Sequence, residues 1–205
     1  MKIEALFPIA LGCTELDREL TKKELDFFNR TQESKDNKVI NEGNTHTADY
    51  HILDNPELSE LKKDLTEKVN LYFRSAYKID EDIKIFITIS WVNYTETGEY
   101  HHAHNHPNSV ISGVYYIETD ESDTITFSAP WPNKLTMYMS PIEYNEWNSD
   151  EWWYPTTKNS LLLFPSKLIH HVNQVKSNKT RISLAFNTFI KGKIGGSNLS
   201  ELIVK

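Results

Sequence analysis

Near residue 80 the spacing of apolar residues switches from three and four to two, which dictates helices first and a sheet afterwards. On the N-terminal side, Thr21-Lys22-Lys23-Glu24 has the spacing of a capping box and precedes Leu25, Phe27 and Phe28, predicting a short helix. A second helix is predicted after Asp54-Asn55-Pro56-Glu57, where Leu58, Leu61, Leu65, Val69, Tyr72, Phe73 and Ala76 define one apolar face. That face must pack on something large. Between the two, Glu33 to Tyr50 is polar, contains Gly43 and has no sustained period, so it reads as a loop available to form part of an entrance.

Beyond the switch, Ile83, Ile85, Ile87, Ile89 and Trp91 alternate with Lys84, Phe86, Thr88, Ser90 and Val92, the pattern of a strand with one heavily buried face. β-rich runs follow at Val110 to Glu118, Thr124 to Ser128, Leu135 to Met139, Ser160 to Phe164 and Arg181 to Phe189, separated by turn-rich segments. They predict a mainly β fold, a barrel or jelly roll, behind N-terminal helices. No repeat, charge block or Gly/Pro/Ser-rich linker interrupts the 205 residues. The expectation is a single domain with helical support over 1–80, a jelly-roll core over 81–190 and a tail over 191–205.

A formal charge of -7 weighs against a bulk electrostatic grip on phosphates, so nucleic acid is not an expected partner. The 12% aromatic content excludes a disordered chain. The single cysteine, Cys13, excludes an intramolecular disulfide and fits a reducing, cytoplasmic setting. Leu6 to Gly12 is broken by Pro8 and preceded by Glu4, a poor signal-peptide core. Elsewhere no apolar run approaches the ~18 residues of a spanning helix, so membrane insertion is not expected.

Six of the eight histidines fall in two clusters, His101, His102, His104 and His106, then His170 and His171; His46 and His51 lie in the polar loop region. In an extended strand residues i and i+2 share a face, so His104 and His106 can present two imidazoles to one ion while Asn105 points away. His102 has the same parity, which keeps a His102/His104 pairing open. A third imidazole from a distant strand, His170 or His171, would complete a facial triad with coordination positions free for substrate and oxygen. Against this, neighbouring histidines also occur as surface clusters or beside turns, and H-x-H alone is a weak metal signal.

The second cluster adds weight through its surroundings. It follows Leu161-Leu162-Leu163-Phe164 and precedes an alternating strand in which Arg181 and Ser183 share a face opposite Ile182, Leu184 and Phe186. A guanidinium facing a barrel interior needs a partner, and a carboxylate held by two parallel hydrogen bonds satisfies it best. At a strand end it would instead form a surface salt bridge. Ser128 to Tyr154 holds Trp131, Tyr138, Tyr144, Trp147, Trp152, Trp153 and Tyr154, which suits a substrate wall, an outer cover or a subunit contact.

Together these strings resemble the iron(II)- and 2-oxoglutarate-dependent oxygenases, and within them a subgroup found in bacteria and phages. The resemblance rests on Ser90-Trp91-Val92-Asn93, His104-Asn105-His106-Pro107-Asn108-Ser109, Ser112-Gly113-Val114-Tyr115-Tyr116, Phe164-Pro165-Ser166, His170 and Arg181-Ile182-Ser183. It implies a double-stranded β-helix, the cupin-like jelly roll, with His104, His106 and His170 as ligands of Fe(II). His170 is implied rather than His171 because the family's ligand stands two residues before a valine, here Val172. Arg181 with Ser183 would bind the far carboxylate of 2-oxoglutarate, with Tyr116 as a further contact. The implied reaction is a dioxygenase hydroxylation that consumes 2-oxoglutarate and dioxygen and releases succinate and carbon dioxide. Its prime substrate, a protein side chain or a metabolite, is not specified, and a homo-oligomer is compatible with the sequence. The implied location is the cytoplasm, that of the host for a phage-encoded chain.

One departure from the wider superfamily is His106, which stands where a carboxylate is usual. A neutral imidazole there raises the net charge of a ferrous site by one and removes a hard oxygen donor. That keeps open a cupin-like three-histidine enzyme using zinc, nickel or iron without 2-oxoglutarate. A non-catalytic jelly-roll binding module is a third reading.

Overall fold

The computed structural model describes residues 1–131, 137, 139–196 and 199–205. Strand β1 (Gly12–Glu15) precedes helix α1 (Lys22–Glu33), and a hairpin of β2 (Lys38–Ile40) and β3 (Thr45–Thr47) follows. Two 3-10 turns, Ile52–Asp54 and Pro56–Leu58, lead into α2 (Ser59–Tyr77). The remaining strands are β4 (Lys84–Thr95), β5 (His101–His104), β6 (Ile111–Glu118), β7 (Thr124–Ser128), β8 (Glu151–Pro155), β9 (Ser160–Pro165), β10 (His170–Val172), β11 (Arg181–Ile194) and β12 (Leu202–Val204).

Helix α1 starts at the expected capping box: the Glu24 N–H donates to Thr21 Oγ1 at 3.3 Å, and Glu24 Oε2 accepts from the Thr21 N–H at 2.7 Å. Arg18 forks onto the buried Glu24 carboxylate at 2.8 Å and reaches Asp64 on α2 at 2.7 Å, tying the helices together. Burial alone would raise the Glu24 carboxyl; the Arg18 fork and the Thr21 donors instead hold it below the usual range. Along α2 the expected face is buried from Leu61 to Phe73, while Ala76 is exposed just before the left-handed Lys78 ends the helix.

Among the described residues the strands pair antiparallel in two sheets, a larger one ordered β1-β9-β6-β11-β4-β3-β2 with β12 added to β11, and a smaller one ordered β5-β10-β7-β8. Period-two alternation sorts the larger sheet's side chains onto two faces. Tyr115, Ile117, Leu161, Leu163, Leu184 and Phe186 pack under Leu61, Leu65 and Val69 of α2. Val114, Tyr116, Leu162 and Phe164 point the other way, onto Ile125 and Phe127 of the smaller sheet and Leu168. Helices therefore cover one face and the second sheet the other, which is the expected mainly β jelly roll. Among the described residues no helix is long and apolar enough to cross a membrane.

Three local expectations need correction. The alternating run from Ile83 does not keep one face: the β4–β11 register shifts between Ile87 and Ile89, so Ile85 and Ile87 pack towards the helices while Trp91 and Asn93 face the other sheet. A bulge inserts one residue and reverses the parity beyond it. The polar Glu33–Tyr50 segment contains the β2–β3 hairpin, which extends the larger sheet through Thr45↔Tyr94 and His46↔Asn93. The C-terminal tail is likewise paired, with β11 running on to Ile194 and β12 folding back on it. The strand expected at Leu135 to Met139 lies largely outside the described residues.

Candidate functional site

The short pairing of β5 with β10 sets His104 directly opposite His170. His106 lies two residues past His104, beyond the end of β5, and its N–H donates to the Ser166 carbonyl at 2.9 Å. The ligand nitrogens of His104, His106 and His170 all lie within 4.8 Å of one another. Their ring centroids are 4.9 Å (104 to 106), 4.4 Å (104 to 170) and 5.2 Å (106 to 170) apart.

The turn that carries His106 is fixed by the small polar residues around it. Asn108 takes the left-handed conformation, φ 58°, which Asn tolerates better than most residues. Ser109 Oγ lies 2.7 Å from Ser166 Oγ, and Ser112 Oγ lies 2.9 Å from Ser166 Oγ and 2.7 Å from Asn187 Oδ1. This hydroxyl chain locks the His106 turn to β6, β11 and the end of β9. Gly113 leaves room for Phe186: a Cβ there would stand 2.1 Å from the ring.

Backbone carbonyls set the imidazole tautomers. His104 Nδ1 lies 2.8 Å from the His102 oxygen, and His170 Nδ1 lies 2.9 Å from the Leu168 oxygen. A carbonyl only accepts, so each Nδ1 carries the hydrogen and each Nε2 keeps its lone pair for an ion. Burial, reinforced by the neighbouring imidazoles, lowers His106 to about 4 and His170 to about 3; burial also lowers His104. All three are neutral at pH 7, the form that binds metal.

Sequence parity missed His101. Between His104 and His101 the β5 chain advances three residues while β10 advances two, from His170 to Val172. That bulge turns His101 onto the His104 side, where the two rings stack at 4.4 Å. His101 Nε2 sits 3.2 Å from Asn41 Nδ2 in the β2–β3 turn, and burial pushes its pKa down to about 2. His101, His102 and His104 make a second close group, their ligand nitrogens also within 4.8 Å. His170 joins His104 and His106 rather than this group. His171 also lines the cavity, with a buried Nδ1 lacking a hydrogen-bond partner. His46 is buried against the Thr47 carbonyl, and His51 is exposed.

Arg181 opens into the same cavity as the His104, His106 and His170 rings, together with Ser183, Asn93 and Trp91. It is 3% exposed, and its Nε and Nη2 have no hydrogen-bond partner. No carboxylate forms a salt bridge with it among the described residues, so the surface ion pair that composition allowed is not formed. The guanidinium carbon stands 5.1 Å from the Tyr116 ring centroid, and Tyr116 pairs in register with Ser183. The Tyr116 hydroxyl is also buried without a partner; burial pushes its pKa up to about 12 against the pull of Arg181. A buried guanidinium with free donors is a socket for an anion, because leaving it unsatisfied costs free energy.

The cavity wall near His106 is Trp91, 5.6 Å ring to ring, whose Nε1 donates to Asn93 Oδ1 at 3.2 Å. Among the described residues of the aromatic segment, none lines this cavity. Trp131, Tyr144, Trp147, Trp152 and Trp153 are exposed, Tyr154 packs against the cluster between the sheets, and Tyr138 lies outside the described residues.

Residues 89–187, just under half of the chain, match the model of a family described as "Putative 2OG-Fe(II) oxygenase". No curated protein matches the chain. Among solved structures, it is similar to a 2OG-Fe(II) oxygenase family oxidoreductase from Burkholderia pseudomallei, with 13% identity over 82% of this chain and 78% of that one and a TM-score of 0.55. The carbocyclase SnoK of nogalamycin biosynthesis, described as non-heme and alpha-ketoglutarate dependent, gives 13% identity over 91% and 84%, TM-score 0.59. HygX from Streptomyces hygroscopicus, solved with nickel, 2-oxoglutarate and hygromycin B, gives 8% identity over 88% and 82%, TM-score 0.59. At these identities the likeness establishes the fold. The matched residues include His104, His106, His170 and Arg181, so the part of the chain that resembles this oxygenase family is the part that carries the cavity.

Proposed function

We propose that the chain is an Fe(II)- and 2-oxoglutarate-dependent dioxygenase that hydroxylates its substrate. The observation that carries this is Arg181, a buried guanidinium with free donors, facing the same cavity as three neutral imidazoles. In this reading His104, His106 and His170 hold the ion through nitrogens, while Arg181 and Ser183 take the far carboxylate of 2-oxoglutarate beside the Tyr116 hydroxyl. When bound, the iron and 2-oxoglutarate supply oxidation of a substrate C–H bond by dioxygen, with release of succinate and carbon dioxide. HygX holds nickel and 2-oxoglutarate in a fold of this kind, whereas SnoK is described as a carbocyclase.

His106 has an electrostatic consequence. With three neutral ligands and Arg181, a divalent ion leaves the cavity strongly positive, and a dicarboxylate is the natural counter-charge. The His102 and Leu168 carbonyls hold the imidazoles in place, and the buried surroundings of Arg181 keep competing water from its donors.

Anaerobic addition of Fe(II) and then 2-oxoglutarate tests the reading. A saturable visible charge-transfer band is expected. Tight metal binding without a band would reject it in favour of a three-histidine enzyme that does not use 2-oxoglutarate.

A further inference from the structure

We infer that His101, His102 and His104 form a second binding site for a borderline divalent cation of the Zn2+ class, mutually exclusive with the site at His104, His106 and His170. Their ligand nitrogens, like those of the first group, all lie within 4.8 Å of one another. Ring centroids 4.4, 5.2 and 5.1 Å apart match the spread of the other three. The bulge in β5 makes this possible: strict alternation would send His101 away from His102 and His104.

The His101 ring, stacked on His104 with the planes 24° apart, has to turn about its side-chain bonds for its nitrogen to share an ion with His102 and His104. His102 Nδ1 faces the Glu42 carbonyl at 3.4 Å, which favours the tautomer with Nε2 free. His101 Nε2 meets only the neutral Asn41 amide, a contact that a cation can displace. Three imidazoles without a carboxylate suit zinc, and at equal availability such a set binds Zn2+ more tightly than Fe2+.

Exclusivity follows from His104. Its Nδ1 is committed to the His102 carbonyl, so one nitrogen remains for one ion. A cation between His101, His102 and His104 removes His104 from the other set and inhibits whatever chemistry that set performs. The site stands on these residues alone and does not depend on the oxygenase reading.

The test is titration of Zn2+ against a chromophoric chelator, with circular dichroism to establish folding. His106→Ala/His170→Ala lacks the first set and is expected to retain one Zn2+ per chain. Adding His101→Ala is expected to weaken that binding at least a hundredfold. Wild type is expected to bind one ion in these histidines, not two. A folded His106→Ala/His170→Ala chain that holds Zn2+ no better than His104→Ala overturns the site, and two tightly held ions in wild type overturn the exclusivity. Should the alanine pair not fold, His106→Gln/His170→Gln carries the same comparison.

Discussion

His104 and His170 stand opposite each other across β5 and β10, each with its Nδ1 on the carbonyl two residues upstream. The backbone thus presets both ring planes before any ion arrives, and the site needs little reorganisation to bind one. His170→Ala is therefore expected to weaken Fe(II) binding by more than the roughly 10–100-fold typical of losing a supporting hydrogen bond. Equilibrium dialysis of the anaerobic protein measures this; wild-type affinity in the variant would remove His170 from the ligand set.

Arg181 sets stability against binding. In the cofactor-free chain its burial without an anionic partner is unfavourable, so Arg181→Met is expected to stabilise that form by roughly 1–4 kcal/mol. The same change is expected to cost roughly 2–5 kcal/mol of 2-oxoglutarate binding. Arg181→Lys should recover only part of it, since an ammonium cannot make the planar two-bond contact. Melting curves and anaerobic titrations read the two effects, and a variant that is both less stable and unchanged in binding would contradict the account.

Gly113 and Phe186 share one volume in the core under α2. Gly113→Ala should cost roughly 1–3 kcal/mol through overpacking. A smaller ring partner, Phe186→Leu, should lessen the penalty when combined with it. Urea midpoints of the four chains test the coupling.

The buried histidines make the metal-free protein acid-sensitive. Their folded values, about 2 for His101, 4 for His106 and 3 for His170, lie below the unfolded value of about 6.5. Above that value both states are neutral and stability is unaffected. As pH falls below it the unfolded chain takes up protons first, so stability declines towards the folded values. Urea midpoints of the metal-free chain from pH 7.5 to 5 should fall, and less steeply for His101→Asn; a flat profile would show that these groups titrate normally.

Much of this was legible from period and spacing. The capping box at Thr21 and Glu24, the α2 face and the parity of Arg181 and Ser183 follow from local chemistry that tertiary packing did not override. The losses came from bulges. Nothing between Ile83 and Val92 signals that Thr88 interrupts the alternation, and nothing in His101-His102-Ala103-His104 marks the extra residue that brings His101 inward. Short strands such as β2, β3 and β8 lack a pattern long enough to register, because their pairing comes from distant neighbours rather than their own residues. The carbonyls that orient His104 and His170 belong to the backbone and leave no trace in residue identity.

The most direct test of the central claim is diffraction from crystals grown anaerobically with Fe(II) and 2-oxoglutarate. The account predicts iron anomalous signal shared by His104, His106 and His170, with the far carboxylate of 2-oxoglutarate on Arg181. Iron elsewhere, or a triad-bound ion with Arg181 left without a carboxylate, would contradict it.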